Sequence, residues 1–212
     1  GQLLRNTARN PEMVQKLATG FAPRWRILIW IGFFTGLRPS EILGLTWDRL
    51  DFDNQTIKVD RQLSRFSDKV FEDHLKTAKT YRTIPFPAGL QTLITEHVDR
   101  FGLGPHGLLM QNRSGKIWRY KDASAMFREV ARPIGLEKGE GLHQLRHTFV
   151  SVLISLNVNA KQIQEWLGHE SILETMDRYG HLFPNSLQQA SYLLDNHVIE
   201  NLHRRQDKKM LA

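Results

Sequence analysis

Apolar residues recur at helical spacing along most of the chain. The densest apolar run, residues 25–34 (WRILIWIGFF), predicts a helix buried on nearly every face. Pro23 stands before it and Thr35-Gly36 behind it, residue types that open and close helices. Upstream, the cap Asn10-Pro11-Glu12 starts a short helix ending near Gly20, and Pro39-Ser40-Glu41 restarts another through Leu45. The pattern then changes. Asp51-Phe52-Asp53-Asn54 reads as a turn, and Thr56-Ile57-Lys58-Val59 alternates as a half-buried strand does. Arg82-Thr83-Ile84-Pro85 predicts a second strand beyond the polar stretch 64–81. Further helices are predicted near 88–101, 120–134, 142–155, 160–167, 172–179 and 185–201, with Leu108-Leu109-Met110 as a short strand. The helix at 185–201 carries Leu187, Leu193, Leu194 and Val198 as an amphipathic stripe. The fold class expected is mainly α with a small antiparallel β-sheet (α+β). Residues 1–184 form the domain, and 185–212 a C-terminal amphipathic helix and charged tail that packs on its own domain or on a neighbouring protomer.

Composition narrows the function classes. The 212 residues suffice for one domain with a substantial core. Lys and Arg number 29 against 22 Asp and Glu, a formal charge of +7 that suits a polyanionic partner, nucleic acid or an anionic membrane surface. Cysteine is absent, which excludes a disulfide scaffold, a cysteine zinc site and a cysteine nucleophile. No apolar run reaches the ~18 residues of a membrane-spanning helix, so no membrane partner is expected. The chain begins with Gly and reads as a piece of a longer protein.

Several motif matches fail on context. Gly102-Leu103-Gly104-Pro105-His106-Gly107 fits G-x-G-x-x-G, but a helix precedes it and Pro105 removes a backbone donor, so it reads as a loop. His169-Glu170 is too short for a metal site, and Asp51 and Asp53 belong to a turn. No cofactor and no metal is expected.

Four separated pieces remain: TGLRPSEILGL at 35–45, LKTAKTYRTIP at 75–85, GLHQLRHT at 141–148, and LGH at 167–169 followed by MDRYGH at 176–181. Arg38 follows a glycine and opens a helix, where a guanidinium can enter a cleft. His143 and Arg146 are three apart at a helix start and share a face. Arginines with histidines and a lysine make an oxyanion-binding set, best matched by phosphate. Tyr179, beyond a short helix, can serve such a cluster as nucleophile. Taken singly, each has a plainer reading as surface ion pair, structural hydrogen-bonder or packing ring. Only the joint pattern reverses that.

All four pieces, in this order, resemble the tyrosine recombinases, the phage-integrase superfamily, from about residue 24 to 184. The resemblance implies an integrase catalytic domain of a phage or genomic island. Tyr179 would attack the scissile phosphodiester to give a 3′-phosphotyrosine and a free 5′-hydroxyl, without metal or ATP. Arg38 and Arg146 would clamp the non-bridging oxygens. Lys76, with Lys79 as its rival, would protonate the leaving oxygen. His143 would bond the phosphate and assist Tyr179 as base, His169 would bond a phosphate oxygen, and Glu41 would steer Arg38. His147 and His181 are expected to be structural. The resemblance further implies double-stranded DNA attachment sites, a homotetramer of the full-length protein on DNA, accessory DNA-bending proteins and a cytoplasmic, DNA-associated location in a bacterial cell. The amino-terminal core-binding domain usual in the family is not visible in this chain. Rival readings are a type IB topoisomerase-like enzyme, a non-catalytic DNA-binding relative and a metal-dependent nuclease.

Overall fold

The computed structural model describes residues 11–64, 70–73, 81–183 and 191–192. Helices dominate: α1 (Pro11–Gly20), α2 (Arg26–Thr35), α3 (Pro39–Leu43), α4 (Ala88–Phe101), α5 (Tyr120–Ala131), α6 (His143–Ser155), α7 (Ala160–Leu167) and α8 (Ile172–Tyr179). The strands are β1 (Leu50–Asp51), β2 (Thr56–Val59), β3 (Arg61–Leu63), β4 (Phe71–Asp73) and β5 (Arg82–Pro85). The architecture is the mainly α fold with small antiparallel sheets that the apolar pattern predicts.

Helix α2 is the hub. Ile27, Leu28, Ile29, Ile31 and Thr35 are buried, and the helix packs against α1, α3, α4 and α6. It ends at Gly36 in the left-handed region (φ +62°), where a Cβ would lie 2.2 Å from the Phe149 ring. Only glycine meets both the conformation and the close approach of α6. Helix α7 begins at Asn159, whose side chain accepts from the Gln162 N–H at 2.9 Å, and α8 begins at Ser171, which accepts from Glu174 N–H.

Strands β1, β2 and β5 form an antiparallel sheet with Leu50 opposite Ile57, Ile57 opposite Ile84, and Val59 opposite Arg82. The turn between β1 and β2 is closed by Asp51, which accepts from the Asn54 backbone at 2.9 Å. A second sheet pairs β3 with β4, and β4 lies inside the stretch 64–81 expected to be merely polar. Phe71 is the sole apolar residue of β4, so the pattern is silent there. Pairing holds it, with Leu63 opposite Phe71 and the Arg61 guanidinium 4.4 Å from the Phe71 ring centroid.

Two other expectations change. Leu108-Leu109-Met110 is a buried segment with a bend at Leu109, not a strand. Its pairing is an isolated bridge from Leu108 to Thr46, extended by Leu109 N–H donating to Leu45 O at 3.0 Å. The predicted helix at 120–134 ends as an α-helix at Ala131 and tightens into a 3-10 turn, Arg132–Ile134, because Pro133 has no N–H to continue it. The predicted helix at 185–201 lies outside the described residues apart from 191–192. Among the described residues no helix is long and apolar enough to cross a membrane.

The core divides in two. A large cluster joins α1–α6 to the sheet, and a smaller one gathers Phe149, Val150, Ile154, Ile163, Leu167 and Tyr179 around α6–α8. The start of α3, strand β5, helix α6 and the α7–α8 connection converge where the clusters meet.

Candidate active site

Arg38 caps α3 in an extended conformation (φ −64°, ψ 146°). The Glu41 side chain, three residues on, reaches back to it. The Arg38 backbone N–H donates to Oε2 at 2.8 Å and its guanidinium to Oε1 at 3.1 Å. The Arg38 side chain remains 32% exposed, so the held guanidinium still faces solvent.

Glu41 is buried, and Arg82 of β5 grips it from the other side. The Arg82 guanidinium donates to Oε2 at 2.8 Å and Oε1 at 3.1 Å, while its Nε donates to the Trp166 carbonyl at 2.9 Å. One side chain thus ties β5, α3 and the end of α7 together. Gly168 caps α7 at φ +66°, and a Cβ there would sit 3.0 Å from the Arg82 stem. Burial pushes the Glu41 carboxyl up, but the charge and hydrogen bonds of Arg82, with Arg38 and Arg146, win and hold it at about 2.

Arg146, on α6, is buried and locked by backbone. It donates to the Gly36 carbonyl and to the Leu167 carbonyl, both at 2.8 Å. These acceptors lie at the carboxyl ends of α2 and α7, where unpaired carbonyls concentrate and helix dipoles favour a cation. Trp166 Nε1 takes the neighbouring Thr35 carbonyl at 3.1 Å. Burial, then Arg38, draws the Arg146 pKa down to about 9, with Glu41 opposing, so the group is charged at neutral pH.

His169 is buried behind Gly168. Its Nδ1 lies 2.9 Å from Thr175 Oγ1, and its Nε2 3.6 Å from Glu174 Oε1. Burial first, then Arg146, Arg38, Arg178 and Arg82, depress it to about 3, so the ring is neutral and its contact with Glu174 is not an ion pair.

Tyr179 ends α8 and is 4% exposed. Burial raises its pKa, against the pull of Arg146 and Arg178, and it is a phenol at neutral pH. The histidine that meets its hydroxyl is His147, with Nδ1 2.8 Å from the oxygen. His143, the residue expected to assist, stands exposed on the first turn of α6. His181 is exposed just beyond Tyr179. Lys76 and Lys79 lie outside the described residues.

The structure therefore gathers Arg38, Glu41, Arg146, His169 and Tyr179 around one junction, and adds two groups the pattern did not single out. Arg82 had a readable signal. Strand side chains alternate, so Arg82 shares the face of buried Ile84, and an arginine on an apolar face needs a buried acceptor. For His147 the spacing is neutral, since residues 143 and 147 are four apart on one helical face.

An integrase-type catalytic domain is the class that this fold and this order of residues define. The chain belongs to the phage integrase family, whose model matches residues 9–186. Similar curated proteins include a tyrosine recombinase XerC-like protein of Caldanaerobacter subterraneus subsp. tengcongensis, 25% identical over 82% of this chain and 49% of the relative. The transposase from transposon Tn916 of Enterococcus faecalis is 30% identical over 69% of this chain and 40% of the relative. Among solved structures, the Tn1549 transposon integrase in complex with a circular intermediate DNA superposes with a TM-score of 0.68 at 26% identity, covering 81% of this chain and 58% of that one. The chain spans about half or less of the length of these curated relatives.

Proposed function

We propose that this chain is the catalytic domain of a site-specific DNA recombinase that cleaves and rejoins strands through a 3′-phosphotyrosine. The observation that carries the reading is the buried, carbonyl-locked Arg146, close enough to partly exposed Arg38 and to Tyr179 to feel the charge of both. Cations held in place before substrate arrives stabilise charge developing on phosphorus oxygens without reorganisation.

In this reading Arg38 and Arg146 hold the non-bridging oxygens, and Glu41 with Arg82 fixes where Arg38 points. His169, a neutral ring held by Thr175, offers a phosphate oxygen an N–H. His143 bonds the phosphate from the exposed start of α6. Lys76 protonates the departing 5′-oxygen. Tyr179 Oη bonds to phosphorus, so the backbone energy is kept in the phosphotyrosyl link and rejoining needs no ATP. The substrate is double-stranded DNA. The full-length protein acts as a homotetramer on attachment sites, with accessory proteins bending the DNA, and residues 185–212 either close on their own domain or link protomers. The integrase complex with DNA and the recombinase relatives favour strand exchange over relaxation by a topoisomerase-like monomer.

Covalent trapping tests this. A nicked suicide duplex carrying candidate attachment sequence is incubated with the protein in EDTA and run on a denaturing gel beside Tyr179→Phe. A DNA adduct formed by the parent and absent from Tyr179→Phe is expected. A metal requirement, or an adduct that survives Tyr179→Phe, overturns the proposal.

A further inference from the structure

Tyr179 meets phosphorus as a phenol, so its proton needs a destination. The nitrogen in contact is Nδ1 of His147, 2.8 Å from the hydroxyl, with the two ring centroids 5.6 Å apart. The backbone that carries this ring is held on both sides. It follows Arg146, which is pinned by two backbone carbonyls, and its own carbonyl accepts from Ser151 Oγ at 3.0 Å.

Resting on the recombinase reading above, we propose that His147 is a catalytic residue: its Nδ1 accepts the Tyr179 hydroxyl's hydrogen bond in the resting domain, takes the phenolic proton during attack, and returns it when the strand is rejoined. The forward step balances. The Tyr179 Oη–P bond forms and the P–O5′ bond breaks. The phenolic proton passes to Nδ1, and the 5′-oxygen takes its proton from a separate acid. On rejoining, the imidazolium protonates the departing phenolate oxygen.

The chemistry requires a neutral ring that carries its proton on Nε2. Burial, then the charges of His143, Arg146 and Arg178, hold His147 down to about 4, so it is neutral at working pH. The groups facing it are Glu140, His143 and Arg146 from its own end of the chain and Arg178 and Tyr179 from α8. A phosphodiester anion bound by Arg38 and Arg146 cancels part of that cationic field. The ring therefore gains basicity when the substrate arrives, the moment at which it must accept a proton.

Two measurements test the proposal. Nitrogen-15 NMR of the histidine rings in the DNA-free chain is expected to show His147 as the Nε2–H tautomer, with its signals moved by Tyr179→Phe. A proton on Nδ1 would overturn the proposal. Single-turnover cleavage is then compared on a normal suicide duplex and on one with a 5′-bridging sulfur, whose thiol leaving group needs no acid. His147→Ala is expected to slow both by about 10²–10⁴-fold, the usual span of general-base catalysis. His147→Asn, whose amide oxygen accepts the hydrogen bond but takes no proton, is expected to stay slow and to lose the acid limb of the pH profile. Rescue by the bridging sulfur, or a parental rate in His147→Asn, overturns the proton-acceptor role. An adduct at equal rate in parent and His147→Ala sinks this proposal alone, whereas no adduct from the parent sinks the recombinase reading with it.

Discussion

The two halves of the site are built on different principles. On the cationic half, Arg146 is held by two carbonyls and Arg82 by a carboxylate and a third carbonyl, and three elements lose their register if either moves. On the nucleophile half, α8 buries Thr175 and Tyr179 but leaves Leu173 67% exposed and Met176 40% exposed. Among the described residues its tyrosine hydroxyl meets one partner, a histidine nitrogen. Buried cations tolerate no slack, because an unpaired charge in the interior is expensive. A hydroxyl bonded once is held by only about 0.5–1.5 kcal/mol. Charge recognition is thus fixed in the fold, while the reacting oxygen is held by one weak contact that leaves it free to shift toward phosphorus.

This contrast can be broken from either side. The largest effect is expected at Tyr179. Tyr179→Phe should eliminate the covalent adduct on a denaturing gel, yet shift stability by only about 1 kcal/mol in urea unfolding. On the cationic side the two effects should coincide. Arg146→Met is expected to lower the trapping rate by about 10²–10³-fold and also the melting temperature, since the Gly36 and Leu167 carbonyls lose their donor. Arg82→Met touches no substrate in the proposed mechanism, but it removes the two-pronged partner of the buried Glu41 carboxylate. A loss of about 3–5 kcal/mol in urea unfolding is expected, partly recovered by adding Glu41→Gln.

Acid should weaken the site in overlapping windows that open at different pH. Glu41, lowered to about 2, contributes stability present above its ordinary value of 4.5 and lost as pH falls toward 2. His147 and His169, lowered to about 4 and about 3, stay neutral in the folded chain while the unfolded chain takes up protons below 6.5. Melting temperature should therefore begin to fall below pH 6.5, and His169→Gln should flatten that first decline. The smallest effect is expected on the outer face of α8, where Leu173→Ser should change stability by no more than about 0.5 kcal/mol.

The helices were legible because their signal is local. The apolar run of α2, the proline at the start of α3 and the cap Asn10-Pro11-Glu12 before α1 each act over one or two turns. Strand β4 was not legible, because a three-residue strand with one apolar side chain exists only through its pairing with β3. Arg38, Glu41, Arg146, His169 and Tyr179 were singled out by the joint order of four short pieces, and they stand near one another in the structure; the roles given to them are those proposed above. The sequence reading assigned help to Tyr179 to His143 and a structural role to His147; in the structure the histidine against the Tyr179 hydroxyl is His147.

By itself, then, the amino-acid order determined which residue types are available, which stretches coil, and that an arginine–histidine set and a tyrosine occur in an integrase arrangement. Only the tertiary structure decided who pairs with whom. Arg82 finds Glu41 across 41 residues, His147 finds Tyr179 across 32, and Arg146 finds the Gly36 carbonyl across 110. No periodicity spans such separations. Those partners are chosen by where α2 and α7 end and by the cost of leaving a charge or a carbonyl unsatisfied in the interior, which is a property of the packed chain.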